Sequence, residues 1–115
     1  MLEGCIFCKI GAGKISSHKM YDDGEVFAFK DVSPQAPVHV IIIPKKHISG
    51  LDVVTDEDGR ILGHIQVVAA KIAKQFFEMK EGFRLVSNCG VDGGQTVFHI
   101  HYHLLGGRSF GWPPG

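Results

Sequence analysis

An excess of charge is the first thing this sequence lacks: 12 Lys and Arg are matched by 12 Asp and Glu. Such a balance recruits neither a nucleic-acid backbone nor an anionic membrane surface. Apolar runs are short too. None approaches the roughly 18 residues of a membrane helix, and the opening MLEGCIFCKI does not read as a secretory leader. The expected location is therefore the cytoplasm. Cysteine is scarce, with three in 115 residues, which excludes a disulfide framework. In a reducing compartment Cys5-x-x-Cys8 suggests metal binding or redox chemistry, and Cys89 reads as a small buried hydrophobe. Repeats, low-complexity tracts and linkers are missing as well, so residues 1–115 read as one domain with a modest core.

What is present is patterned. The aromatic and β-branched EVFAFKDV (25–32) reads as a strand ended by SPQAP. HVIIIP (39–44) is a continuous apolar run, expected for a strand buried on both faces and stopped by Pro44. Thr55-Asp56-Glu57-Asp58 has the form of a capping box. Ile61, Ile65, Val68, Ile72 and Phe76 then recur at helical spacing, up to a stop at Gly82. FRLVSN (83–88) reads as a strand, followed by the turn CGVDGGQ and a last strand that closes at Gly106-Gly107. This order predicts an antiparallel sheet with a helix across one face, an α+β domain.

The last strand holds the chemistry. Three of the chain's seven histidines, His99, His101 and His103, alternate with Ile100 and Tyr102. In a strand such residues share one face at about 3.3 Å per residue, a row about 13 Å long. Ile100, Tyr102 and Leu104 then face the helix, so the core is expected on one side only. One phosphorus atom admits the middle histidine and one neighbour, which leaves the far histidine a structural task. Three uses compete for the row. The histidines can be plain solvent-facing groups, or two of them can present ligands to one zinc. Or a neutral imidazole attacks phosphorus and forms a covalent intermediate. In that case a backbone carbonyl would hold one ring N–H and aim the other nitrogen's lone pair. The preceding GVDGGQT can cradle phosphate oxygens with its amides.

His99-Ile100-His101-Tyr102-His103-Leu104-Leu105 resembles the signature of the histidine triad superfamily, a histidine followed by an apolar residue, three times over. DVSPQAPVHVIIIPKKHIS, DGGQTVFHIHYHLLGGR and WPPG further resemble its Hint branch, the nucleoside phosphoramidases, over Cys5 to Gly115. The resemblance implies a five-stranded antiparallel sheet with a long helix across it, paired in a homodimer into ten strands. The helix after Thr55 would lie at that contact, with Trp112 reaching the partner's site.

It also implies that His101 attacks the α-phosphorus of an adenosine or guanosine 5′-phosphoramidate. His103 and Thr96 would contact the phosphate and departing group, and His39 would be a fourth active-site histidine. Asp31 would accept from the ribose hydroxyls. Ile6, Phe7, Ile10 and Phe29 would form the slot for the base, while Asn88, Gly94, Gln95 and Val97 would complete the phosphate pocket. No catalytic cofactor is implied, but similar bacterial members imply a structural zinc on Cys5, Cys8, His47 and His99. Thr96 stands where eukaryotic members usually have serine, and Ser17 where proline is common. A dinucleoside polyphosphate hydrolase, a nucleotidyl transferase, or a nucleotide-binding scaffold are the alternative functions.

Overall fold

A computed structural model describes residue 2 and residues 4–115. After a short helix α1 (Ile6–Gly11) come strands β1 (Lys19–Asp22), β2 (Val26–Lys30) and β3 (Val38–Pro44). Helix α2 (Gly59–Ala73), β4 (Phe83–Val86), a single-turn helix α3 (Gly90–Gly93) and β5 (Tyr102–Gly106) complete the chain. The strands form one five-stranded antiparallel sheet in the order β1-β2-β3-β5-β4. This is the expected α+β architecture.

Strand alternation sorts the residues between two faces. Val26 and Ala28 of β2, Val38, Val40 and Ile42 of β3 and Leu104 of β5 pack against Ile61, Ile65, Val68 and Ile72 of α2. Each buried Val, Leu or Ile among them contributes about 1.5–3 kcal/mol by removal from water, and Ala28 less. The capping-box segment forms a 3₁₀ turn, in which the Asp58 carboxylate accepts the Thr55 N–H at 3.0 Å. Helix α2 starts directly after it and ends at Ala73, before the predicted Phe76, which sits in the following turn.

The opposite face departs from the one-sided core expected under the histidines. Phe27, Phe29, Ile41 and Ile43 form a second cluster there with Cys5, Phe7, Cys8 and Ile10. The covering element is α1, too short for its periodicity to be read. This cluster is why all seven residues of β3 are buried. The edge strand β1 was likewise not legible from its residues, because KMYD lacks alternation.

The histidine segment is also less regular than a strand. Only His103 lies within β5; His99 and His101 occupy the bent approach to it. Pairing stops at this point: β4 ends at Val86, opposite His103, and β3 continues to Pro44 but pairs with β5 no further than Ile42 with Tyr102. Ladder bonds give way to two others: the Ile100 N–H donates to Ile48 O at 2.7 Å, and the Ser87 hydroxyl donates to His101 O at 2.9 Å.

Candidate active site and metal centre

The face that carries the second cluster also carries the histidines. In β3, His39 shares the side of Ile41 and Ile43, and the register sets Ile41 opposite His103. His39 and His103 are thus diagonal neighbours across the β3–β5 pair, a spacing that imidazoles can bridge. Asp31 continues the side of Phe27 and Phe29 just beyond β2, where its N–H donates to His39 O at 3.0 Å. Phe7 of α1 closes the group from above, edge-on to His101 with ring centroids 5.0 Å apart.

The hydrogen bonds fix which ring nitrogens carry protons. His101 is 4% exposed, and its Nδ1 lies 2.8 Å from the backbone carbonyl of His99. A carbonyl only accepts, so Nδ1 bears the hydrogen and Nε2 keeps a lone pair. The other pair runs the opposite way. The Gln35 N–H donates to His39 Nδ1 at 3.0 Å, so the His39 proton sits on Nε2. That Nε2–H donates to His103 Nδ1 at 2.8 Å, and Asp31 Oδ2 lies 3.3 Å from it. His103 therefore carries its own hydrogen on Nε2. Burial, together with the neighbouring His101 and His39, lowers the His103 pKa to about 4, and burial lowers that of His39 against the pull of Asp31. Both rings are neutral at pH 7, as the bonding pattern requires. Two adjacent imidazoles, with centroids 5.1 Å apart, hold opposite tautomers.

A second group converges below α1. Cys5 caps the helix, its sulfur accepting the Cys8 N–H at 3.3 Å. Cys5 Sγ is 3.3 Å and Cys8 Sγ 3.5 Å from His99 Nδ1, and Cys8 Sγ is 3.4 Å from His47 Nδ1. The two Nδ1 atoms are 3.2 Å apart. Tetrahedral zinc, with bonds near 2.3 Å to sulfur and 2.0 Å to nitrogen, puts ligands about 3.5 Å (S to N) and 3.3 Å (N to N) apart. His99 Nε2–H is held by Pro44 O at 2.7 Å, which turns the Nδ1 lone pair inward. Cys5, Cys8, His47 and His99 thus form a possible metal-binding cluster whose donors fit zinc.

Asp31, His39 and His103 also lie close together. A metal on His39 Nε2 would leave that ring without a proton, because Nδ1 is already committed as an acceptor. That cluster suits hydrogen bonding.

The remaining sequence candidates divide. Phe7, Ile10 and Phe29 are buried together, whereas Ile6 is exposed beside them. Asp31 uses Oδ1 for the Ser33 N–H at 2.7 Å, so it shapes its turn as well as facing the histidines. The Gln95 amide is committed to its loop: Oε1 accepts from the Gly90 N–H at 3.0 Å, and Nε2 donates to Ser49 O and Val97 O at 2.8 and 3.0 Å. Gly94 caps α3 at φ 77°, a conformation that favours glycine. Thr96 and Val97 line a cavity of about 690 Å³ with Cys5, Ile6, His47 and Phe98. Asn88 is half-buried ahead of α3. Cys89 is half-buried rather than buried, with Sγ 3.4 Å from Asp52 Oδ1. The Gln35 amide was invisible in the sequence, where SPQAP signals only a turn and a backbone donor has no letter.

The HIT domain family profile matches residues 12–110. This chain belongs to that family. The HIT domain is 50% identical over 115 residues, the whole of both chains, to an uncharacterized HIT-like protein of Synechocystis. A HIT family hydrolase from Legionella pneumophila superposes with a TM-score of 0.94 at 47% identity, over 97% of this chain and 100% of that one. A histidine triad protein from Clostridium difficile gives 0.93 at 47% identity, over 96% of each chain.

Proposed function

We propose that this HIT domain is a hydrolase that cleaves the P–N bond of purine nucleoside 5′-phosphoramidates through a nucleotide held covalently on His101. One observation carries the reading: neighbouring rings present a bare lone pair on His101 and an N–H donor on His103. A nucleophile beside a donor is what substitution at phosphorus requires. Its relation to a HIT family hydrolase supports the reaction class.

In this reading the base lies against Ile6, Phe7, Ile10 and Phe29, and the ribose hydroxyls donate to the remaining lone pairs of Asp31. The amides around Gly94 and Val97, with Asn88 and Thr96, receive the phosphate, and Gln95 shapes that loop. His101 Nε2 forms a bond to phosphorus as the P–N bond breaks. The electron pair leaves with the nitrogen, which takes up a solvent proton. His103 Nε2–H meets the negative charge on the reacting group. Water then attacks phosphorus and breaks the P–N bond to His101, releasing the nucleoside monophosphate and restoring the imidazole.

Zinc on Cys5, Cys8, His47 and His99 would be a structural cross-link between α1 and the segment carrying the nucleophile. A homodimer accords with the apolar groove of Ala70, Ala73, Phe76, Phe77, Met79 and Phe83 beside the β4 edge; size-exclusion chromatography showing a monomer at micromolar concentration overturns it. For the reaction itself, protein quenched during turnover of adenosine phosphoramidate is digested and weighed by mass spectrometry. A nucleotide adduct on His101 is expected, and steady turnover with no adduct there rejects the mechanism.

A further inference from the structure

The proton pattern of the His39–His103 pair depends on the Gln35 N–H, and the carbonyl of the same residue, one peptide unit further on, is itself held. Arg108, exposed and two residues past β5, points its guanidinium at the Gln35 carbonyl, donating from Nη2 at 3.1 Å and from Nε at 3.4 Å. Its Nη1 donates to Ser109 O at 3.1 Å, and the group stacks on Phe110 at 4.2 Å from the ring centroid. The same phenyl ring meets Arg84 at 5.2 Å, whose Nη2 donates to Gly111 O at 2.8 Å. The fork is therefore braced by the tail before it reaches the loop. Both backbone groups of Gln35 are engaged, the carbonyl by Arg108 and the N–H by His39 Nδ1.

A second tie lies alongside. Gly107 has φ 92°, and a Cβ there would come within 2.7 Å of the Pro37 ring, so glycine lets the end of β5 lie flat on the loop. Pro34, directly before Gln35, and Pro37, two residues after it, fix two φ angles of the loop.

We propose that Arg108 is a positioning residue, acting through Gln35 to keep the His103 proton on Nε2. The tautomers follow from the hydrogen-bond geometry; their catalytic consequence rests on the proposed phosphoramidase function. With the carbonyl released, the Gln35 N–H drifts from His39, and His39 is free to carry its proton on Nδ1. His39 Nε2 then accepts from His103 Nδ1–H, and His103 turns a bare lone pair toward the phosphate. Two lone pairs then face an anion, and the donor is lost. Losing this hold leaves the other contacts of the pair in place, so the populations shift partially and turnover falls about three- to tenfold.

The test is long-range proton–nitrogen NMR of protein carrying ¹⁵N-histidine, in wild type, Arg108→Ala and Arg108→Lys, with circular dichroism to check folding. In wild type, His103 is expected as the Nε2–H form. In Arg108→Ala, the His39 and His103 signals move toward the other tautomer, kcat on adenosine phosphoramidate drops about three- to tenfold, and KM changes less than about twofold. Arg108→Lys, which keeps the charge and one donor, recovers part of both, and it supplies the reading if the alanine variant does not fold. Unchanged His39 and His103 signals in a folded variant overturn the proposal whatever the activity does. A wild type that forms no adduct on His101 overturns the phosphoramidase reading instead, and leaves the tautomer result standing.

Discussion

His101 is aimed by His99: the Nδ1–H of one ring donates to the backbone carbonyl of the other residue at 2.8 Å. The His99 ring meanwhile points Nδ1 at Cys5 and Cys8 and is fastened through Nε2–H to Pro44 O. The residue that orients the proposed nucleophile is thus itself anchored in the possible metal cluster. Its backbone serves one centre and its side chain the other.

Replacing the nucleophile separates binding from chemistry. His101→Ala is expected to lower turnover of adenosine phosphoramidate at least about a thousandfold, the scale of losing a covalent catalyst. Adenosine monophosphate should still bind, as calorimetry can measure. Appreciable turnover by this variant defeats the assignment.

The metal cluster is tested by composition. Protein purified without chelators should contain close to one zinc per chain; a content below about 0.2 removes the zinc assignment. Cys8→Ser should lose the metal and melt at least about 5 °C lower, because a tie between α1 and His99 is cut. Its kcat should also fall, since the His99 carbonyl is no longer held. Unchanged metal content and melting point in Cys8→Ser contradict this.

Acid should weaken the fold through His103. In the unfolded chain a histidine titrates near 6.5, whereas in the fold His103 titrates at about 4. Between those values the unfolded state binds more protons, so stability is complete above about pH 6.5 and is lost as pH falls through 4. The contribution is on the order of 3 kcal/mol. Melting curves from pH 7 to 4 should show a steeper decline for wild type than for His103→Asn; parallel declines are the contrary result.

Asp31→Ala should act mainly on binding. Losing acceptors for the ribose is expected to raise KM about tenfold with a smaller fall in kcat. A larger loss in kcat means that its 3.3 Å contact with His39 matters more than the sugar.

Where the elements are long and strongly patterned, they are legible from the chain alone. Ile61, Ile65, Val68 and Ile72 mark α2 by their spacing, and the unbroken apolar run in β3 implies two covered faces. The six residues of α1 and the four of β1 carry no period long enough to read. The regular strand drawn through His99 and His101 failed for a different reason. Whether a segment is a strand depends on its neighbours, and β4 ends before it reaches them.

The candidate site divides along the same line. The amino-acid sequence by itself determined the residue types: alternating imidazoles, a cysteine pair, a carboxylate ahead of a turn, and a glycine-rich loop. Tertiary structure alone decided the proton on each ring, because that depends on which backbone atom stands opposite. His99 O, Pro44 O and the Gln35 N–H set three histidines in their tautomers. A main-chain carbonyl or amide is the same in every residue, so its placement exists only once the chain has folded.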